Sequence, residues 1–183
     1  MKRCAWVQGA TPSEQLYHDQ EWGKPCHDDR LLFEAIVLEL MQAGLSWSTI
    51  IKKRATLSQA FAHWDYMQVA QFTEQDVTRL LQDTGVIRHR KKIEAVITNA
   101  QALIRIQQQY GSFATYLWSF VADQPQINRV STSQDIPRQT ALSKQISQEL
   151  KTQGFAFLGP VTVYSLMQAV GLVNDHEECC EAK

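Results

Sequence analysis

The sequence lacks the features that would place a protein in a membrane, outside the cell or along the whole length of a nucleic acid. Neither the N-terminal MKRCAWVQGA nor any later stretch is an apolar run typical of a signal peptide or a membrane span, so we expect a cytoplasmic protein with no membrane partner. Four cysteines in 183 residues are too few and too unevenly spaced for a disulfide framework, which leaves free thiols or metal ligands. A formal net charge of -1 argues against a general nucleic-acid coat but allows a local basic patch.

Strand patterns and internal repeats are also missing, whereas apolar residues recur at helical spacing. Leu32, Ile36 and Leu40 mark one face of a helix predicted over residues 29–43, which stops at Gly44. Further helices are predicted from Ile50 to Trp64, from Thr73 to Gly85, from about Arg88 to Ile104, after Ser112, from Thr140 to Gly154, and from Pro160 to near Gly171. Residues 123–139, polar with two prolines, are predicted to be a connector. We therefore expect an all-α fold, with residues 1–183 forming a single domain of two closely joined helical lobes.

Glu39 interrupts the apolar segment of the first long helix. On a helical wheel it falls on the inward stripe with Leu32 and Ile36, whereas Glu34 falls on the other side. A buried carboxylate is costly unless something pairs with it. Gln42 is the one other polar residue on the stripe, so Glu39 is the leading candidate for a functional residue.

Four aromatic residues flank the Glu39 helix in sequence. They are Trp6, Tyr17, Trp22 and Trp47. Aromatic side chains at loop junctions either line a pocket or join the core, and their number alone favours core packing.

Cysteine and histidine residues occur near both ends of the chain. Cys4 and His18 lie near the start, and the C-terminal NDHEECC contains His176, Cys179 and Cys180. Two thiolates and two imidazoles form a tetrahedral zinc set, which would be closed, structural and able to join the termini. The spacing is not diagnostic, so unrelated cysteines and histidines are the alternative.

The segment DTGVIRHRKK, residues 83–92, has the pattern of a hairpin between two helices. Gly85 is predicted to end one helix in a left-handed conformation, and the next helix is predicted to begin near Arg88. The start of a helix attracts anions, which favours contact with phosphate. The basic residues beside it are Arg88, His89, Arg90, Lys91 and Lys92. A solvated charged face without a ligand is the alternative.

Several of these strings together resemble the bacterial 3-methyladenine DNA glycosylases of type I. The similarity runs in order over nearly the whole chain, through RCAWV, YHDQEWG, LELMQAGLSW, DTGVIRHRKKI, FLGPVTVYSLMQAVGLVNDH and the Cys/His ends. It implies a helix-hairpin-helix glycosylase fold, with the helix-hairpin-helix region at about residues 73–105 and a structural zinc ion joining the termini.

The resemblance also assigns roles to individual residues. The zinc ligands would be Cys4, His18, His176 and a terminal cysteine, for which the family spacing favours Cys180. Glu39 would bind the base among Trp6, Tyr17, Trp22, Gln42 and Trp47, and the loop from Gly85 to Lys91, with Arg88, His89 and Arg90, would anchor DNA. One departure is Glu14, since the family often has a tyrosine at that position, three residues before Tyr17.

The implied function is base excision repair by a monofunctional DNA-3-methyladenine glycosylase. A monomer with one zinc ion would flip 3-methyladenine out of double-stranded alkylated DNA and release it by hydrolysis, leaving an abasic site. Methylation at N3 makes the base a cation, which aromatic faces and the Glu39 carboxylate would attract. The alternatives are a non-catalytic, zinc-stabilised DNA-binding module and a metal-dependent hydrolase, which would need an open metal position.

Overall fold

The computed structural model describes residues Met1–Lys183 and is predominantly helical, as predicted. The helices are α1 (Pro12–Gln20), α2 (Asp29–Gln42), α3 (Trp47–Ala60), α4 (Tyr66–Val69), α5 (Glu74–Gln82), α6 (Arg90–Tyr110), α7 (Phe113–Ser119), α8 (Ala141–Thr152) and α9 (Pro160–Ala169). Short 3₁₀ turns occur at Ala5–Val7, Ala62–Trp64 and Ser133–Asp135. None of the helices is both long enough and apolar enough to cross a membrane.

Two short strands that the sequence pattern did not predict join the connector to the C-terminal segment. Strand β1 (Gln126–Ile127) pairs in parallel with strand β2 (Val173–Asn174). Gln126 lies opposite Val173, and Ile127 lies opposite Asn174. At two residues each, the strands are too short to produce an alternating pattern.

Helix α2 is the central element of the core. It packs against α3, α6, α7 and α9, and Leu32, Phe33, Ile36 and Leu40 are completely buried. Enclosure on several sides makes the predicted outward position of Glu34 wrong, because Glu34 is buried as well. A helical wheel assumes one buried face, whereas a helix surrounded by others has more than one.

Side-chain caps set most of the helix starts. The predicted capping residues Thr73, Ser112 and Thr140 lie at the N-caps of α5, α7 and α8. A further capping box, formed by Thr11 and Glu14 at the start of α1, was not predicted. Such caps supply acceptors or donors to backbone groups that a helix end leaves unpaired, so they act locally and can be read from sequence.

The hairpin between α5 and α6 exists, but its turn differs from the prediction. Helix α6 begins at Arg90, two residues later than expected, and Gly85 does not have a left-handed conformation. Glycine is required there for another reason: a Cβ atom on Gly85 would lie 2.8 Å from the Cβ atom of Thr56. The Thr56 hydroxyl donates to the Gly85 carbonyl at 2.8 Å, so α3 supports the turn.

Lys92, expected among the basic residues of the hairpin surface, is buried instead. Its ammonium group donates to the carbonyl oxygens of Met41 at 3.0 Å and Ala43 at 2.7 Å, at the C-terminal end of α2. Burial lowers the pKa of Lys92. This side chain therefore joins the hairpin to the end of the helix that carries Glu39, and it is not available to phosphate.

Candidate functional site

A cavity of about 400 Å³ lies beside the last turns of α2 and brings the sequence-predicted base-binding residues together. Trp6 comes from the first 3₁₀ turn, Tyr17 from α1 and Trp47 from the start of α3. Its volume is in the range of small-molecule sites. The lining residues are Trp6, Tyr17, Trp22, Glu39, Gln42, Trp47, Ser133, Ile136, Pro137, Arg138, Val161, Tyr164, Ser165 and Gln168.

Glu39 is the cavity residue with the most unusual electrostatics. Only 7% of it is exposed, and its carboxylate forms neither a hydrogen bond nor an ion pair with the protein. Burial raises the pKa of Glu39 from an ordinary 4.5 to about 8. Glu34, equally buried one and a half turns earlier, accepts a hydrogen bond from the Arg54 guanidinium at 2.7 Å. Since the protein pairs one buried carboxylate and not the other, Glu39 is suited to a cation that comes from outside.

The aromatic residues form two packed pairs around this carboxylate. The ring centroids of Tyr17 and Trp47 are 4.7 Å apart, and those of Trp6 and Trp22 are 5.3 Å apart in an edge-to-face arrangement. The indole N–H groups of Trp6 and Trp47 are buried and have no acceptor in the protein. Burial, followed by the nearby Glu39, raises the pKa of Tyr17, which remains a neutral phenol. The cavity thus combines π faces with a carboxylate.

Glu14 does not line this cavity. Its carboxylate accepts hydrogen bonds from the backbone N–H of Thr11 at 3.0 Å and from the Thr11 hydroxyl at 2.7 Å. The Glu14 side chain is therefore engaged in capping α1, and the cavity has no aromatic wall from this position.

Three of the predicted metal ligands are grouped beside the cavity. The ligand atoms of Cys4, His18 and Cys180 all lie within 4.8 Å of one another, and the three residues are buried. Asp19 accepts from His18 Nδ1 at 2.8 Å, so Nε2 is left facing the Cys180 sulfur at 3.6 Å. A second-sphere carboxylate of this kind orients a histidine for metal binding. Arg3 holds Asp19 in turn, through hydrogen bonds to both carboxylate oxygens.

His176 lies next to this group with one ring nitrogen unused. Its Nδ1 atom is 2.8 Å from the side-chain oxygen of Asn174, and its Nε2 atom is buried without a partner. Burial, followed by the nearby His18, lowers the pKa of His176 to about 4, so the ring is neutral at pH 7. The rings of His18 and His176 are 4.9 Å apart. Cys179, in contrast, is exposed, and its sulfur lies 4.0 Å from a Glu177 carboxylate oxygen.

The cysteine and histidine cluster also supports the aromatic cavity. Trp6 packs edge-on against His18 at 5.4 Å, and Trp22 packs edge-on against His176 at 4.6 Å. Tyr17 and His18 are consecutive residues of α1. Anything that fixes the cluster therefore also fixes three walls of the cavity.

The predicted hairpin residues differ in their availability. Arg90 donates to Glu74 at 2.7 Å and to Glu94 at 3.3 Å, and His89 accepts from the backbone N–H of Lys92 as the cap of α6. Arg88 and Lys91 are exposed and have no side-chain partner in the protein. The backbone N–H groups of Arg90 and Lys91 also have no backbone acceptor. The hairpin thus presents two free cations and two free donors.

Sequence reasoning missed two parts of the cavity wall. The connector supplies one part and α9 supplies the other, through residues spaced i, i+3, i+4 and i+7. The α9 residues are Val161, Tyr164, Ser165 and Gln168, and the connector residues are Ser133, Ile136, Pro137 and Arg138. The polar positions at helical spacing in α9 were a usable signal, whereas nothing local marks the connector.

Comparisons with known proteins agree with this geometry. The chain matches the methyladenine glycosylase family over residues 6–183. It is 48% identical over 180 residues to DNA-3-methyladenine glycosylase 1 of Escherichia coli, covering 98% of this chain and 96% of the relative. It is 43% identical over 181 residues to DNA-3-methyladenine glycosylase of Haemophilus influenzae, covering 99% and 97%. The structure of 3-methyladenine DNA glycosylase I from Staphylococcus aureus, solved to explain its recognition of 3-methyladenine, is 40% identical with a TM-score of 0.95 and covers 100% of this chain and 97% of that one.

The elevated pKa of Glu39 predicts a specific dependence of stability on pH. Between the ordinary value of 4.5 and about 8, the folded protein retains a proton that the unfolded chain releases, so the contribution of Glu39 to stability falls as pH rises through this window. Glu39→Gln removes that loss. We expect the variant and the wild type to melt alike near pH 4.5 and the variant to be more stable above pH 8, by on the order of a few kcal/mol.

Thermal denaturation of both proteins across this pH range measures the difference directly, because other titrating groups cancel between them. A constant difference from pH 4.5 to pH 8 would show that Glu39 titrates normally and has a partner in solution.

Proposed function

The chain belongs to the methyladenine glycosylase family, and we propose that it flips 3-methyladenine out of double-stranded alkylated DNA and releases it by hydrolysis as a monomer. Relatives at 48% and 43% identity over nearly the whole chain are named DNA-3-methyladenine glycosylases. Solved relatives include a tyrosine-to-phenylalanine variant of 3-methyladenine DNA glycosylase I in complex with 3-methyladenine, at 40% identity and a TM-score of 0.96. The observation that carries the proposal is the buried, unpaired Glu39 within an aromatic cavity.

The chemistry of the damaged base explains why this cavity suits it. A nucleotide methylated at N3 of adenine carries a positive charge, so electron-rich rings and a carboxylate bind it better than neutral adenine. Entry of that cation favours the ionised form of Glu39, opposing the effect of burial on its pKa. Glu39 accepts a hydrogen bond from the exocyclic amine, while Trp6, Tyr17, Trp22 and Trp47 enclose the ring and Gln42 lies at its edge.

The reaction needs little further activation, because the leaving group is already cationic. The oxygen of water forms a bond to C1′ of the deoxyribose, the C1′–N9 bond breaks, and its electron pair neutralises the departing base. A proton from the attacking water passes to solvent, which leaves an abasic site. Lysine residues play no covalent part, so no strand cleavage follows.

The clustered residues at the chain ends fit a structural zinc site. Two thiols and two imidazoles are the donors zinc prefers, and the buried Nε2 atom of His176 has no other partner. We assign Cys4, His18, His176 and Cys180 as the four ligands. When bound, zinc would supply no water activation, because four protein ligands leave no open position. Its effect is to hold the termini and, through Trp6 and Trp22, the cavity walls.

The hairpin provides the contact with duplex DNA in this proposal. Arg88 and Lys91 neutralise phosphates, the free N–H groups at the start of α6 donate to phosphate oxygens, and Gly85 lets the turn pack closely on α3. His89 caps the helix, and Arg90 adds charge from within its ion pairs. A DNA-binding module without catalysis would have no use for an unpaired Glu39 beneath aromatic walls.

Release of methylated bases tests the function directly. The wild type, incubated with methylated duplex DNA, is expected to release 3-methyladenine, measured by chromatography in single-turnover experiments. Glu39→Gln keeps the shape of the side chain but removes its charge, so release should slow by on the order of tenfold to a hundredfold. Glu149→Gln, which changes an exposed glutamate of α8, is the matched control and should be normal. Wild-type release by a folded Glu39→Gln variant would reject Glu39 as the base-binding charge.

Elemental analysis of protein purified without added metal tests the zinc site. One zinc per chain is expected in the wild type and in Cys179→Ser, and much less in Cys180→Ser. Loss of the metal should lower the free energy of unfolding by on the order of several kcal/mol, because the ligands come from both ends of the chain. Undiminished zinc in a Cys4→Ser, Cys180→Ser double variant would contradict the assignment, and loss in Cys179→Ser alone would move the ligand by one residue.

The salt dependence of DNA binding tests the hairpin. Replacing Arg88 and Lys91 with alanine removes two free cations, so the slope of log K against log salt should become shallower by about 2. Arg90→Ala should change the slope less, since Glu74 and Glu94 already pair with that guanidinium. Binding of free 3-methyladenine should stay constant, and a Lys144→Ala, Lys151→Ala variant of α8 serves as the charge-matched control. An unchanged slope in the Arg88, Lys91 variant would remove the hairpin from the interface.

A further inference from the structure

Helix α9 contributes a polar wall to the cavity, and two residues of that wall share a buried partner. Tyr164 and Gln168, one turn apart, both line the cavity. The Tyr164 hydroxyl and the Gln168 amide each donate to the same oxygen of Asp175, both at 2.7 Å. Asp175 directly follows β2 and is 1% exposed.

Asp175 is a buried carboxylate whose partners are all neutral. Its second oxygen accepts from the side-chain amide of Asn128 at 2.7 Å, and no lysine or arginine forms an ion pair with it. This differs from Glu34, a buried carboxylate of α2 whose partner is the Arg54 guanidinium. Asp175 forms no ion pair, and its three hydrogen bonds fix how the side chains of Asn128, Tyr164 and Gln168 are oriented.

Because the Asp175 carboxylate accepts hydrogen bonds, it determines which polar groups Tyr164 and Gln168 turn toward the cavity. Asp175 is the acceptor in all three of its hydrogen bonds, so Gln168 turns its NH₂ group, and Tyr164 its O–H, toward it. The Gln168 carbonyl oxygen then remains without a donor in the protein, and the Tyr164 oxygen keeps its lone pairs. The α9 wall consequently offers hydrogen-bond acceptors.

We propose that Asp175 is a positioning residue that makes the α9 wall select an amino group over a carbonyl group on the flipped base. This inference rests on the proposed function. The exocyclic amine of 3-methyladenine has two N–H bonds, so it can satisfy an acceptor on α9 in addition to Glu39. 3-Methylguanine carries an oxygen at the same ring position. That oxygen would face the α9 acceptor with no proton between the two atoms, so neither would have a hydrogen-bond partner.

The test compares the release of two bases from one DNA preparation. Duplex DNA alkylated so that it contains both 3-methyladenine and 3-methylguanine is digested under single-turnover conditions, and the ratio of the two release rates is measured. In Asp175→Asn the new amide can donate, which allows Gln168 to reverse and present its NH₂ group. We expect the release rate of 3-methyladenine divided by that of 3-methylguanine to fall on the order of tenfold.

A second variant isolates the path through Gln168. Gln168→Met keeps the length of the side chain but removes both its donor and its acceptor, so the ratio should also fall. If Asp175 acts through Gln168, the double variant should have the ratio of Gln168→Met alone. Asp123→Asn, which changes an exposed aspartate paired only with His27, is the control and should keep the wild-type ratio.

The outcomes separate this inference from the proposed function. A wild type that releases no 3-methyladenine would overturn the function, whereas normal release with an unchanged ratio in Asp175→Asn and in Gln168→Met would overturn only the role of Asp175. Zinc content is measured for each variant, because Asp175 precedes His176. If Asp175→Asn does not fold, the release ratio of Gln168→Met tests the inference alone, since that substitution leaves Asp175 and its other partners in place.

Discussion

The cost of enclosing a carboxylate without a partner is the constraint on which the site depends. Helix α2 is surrounded by other helices and carries two buried glutamates. Glu34 is stabilised by Arg54, whereas Glu39 has no such partner and holds its proton to a pKa of about 8. The empty protein is therefore less stable than it would be with a neutral residue, and the cationic base of the proposed function would supply the missing charge. Stability and the base binding proposed for Glu39 are opposed at this one residue, as is common at functional sites.

The chain ends determine whether the walls around Glu39 keep their shape. Trp6 lies in the first 3₁₀ turn and Trp22 just after α1, close to the N-terminus, and they pack on His18 and His176 of the terminal cluster. Unsupported termini fray, so aromatic side chains on such a segment would have no defined positions. The cluster brings together residues from both ends of the chain, and the zinc ion proposed there would remove that freedom. The contribution to function that we propose for the cluster is in this sense structural, although it lies beside the cavity.

A single buried cation relates the cavity to the hairpin surface. The Lys92 side chain extends from the first turn of α6 to the backbone carbonyl groups at the C-terminal end of α2, within one turn of Glu39. Positive charge is favourable at the C-terminal end of a helix, so this contact is stabilising as well as geometric. Lys91, proposed to bind phosphate, and Glu39, proposed to bind the base, are consequently carried by two helices that are fixed to each other.

Features that depend on nearby residues could be predicted from the amino-acid pattern: the long helices, the caps at Thr73, Ser112 and Thr140, and the burial of Glu39. The sequence motifs that resemble the family also indicated residues that the structure brings together in one cavity. Features that depend on contacts between distant segments became visible only in the folded chain. Glu34 is buried because α3 supplies Arg54, Gly85 is needed because Thr56 approaches it, and Lys92 is withdrawn from the surface by the end of α2. The contacts of Asp175 with Tyr164 and Gln168 of α9 also depend on distant segments, since neither spacing nor composition indicates which side chains a buried carboxylate will contact.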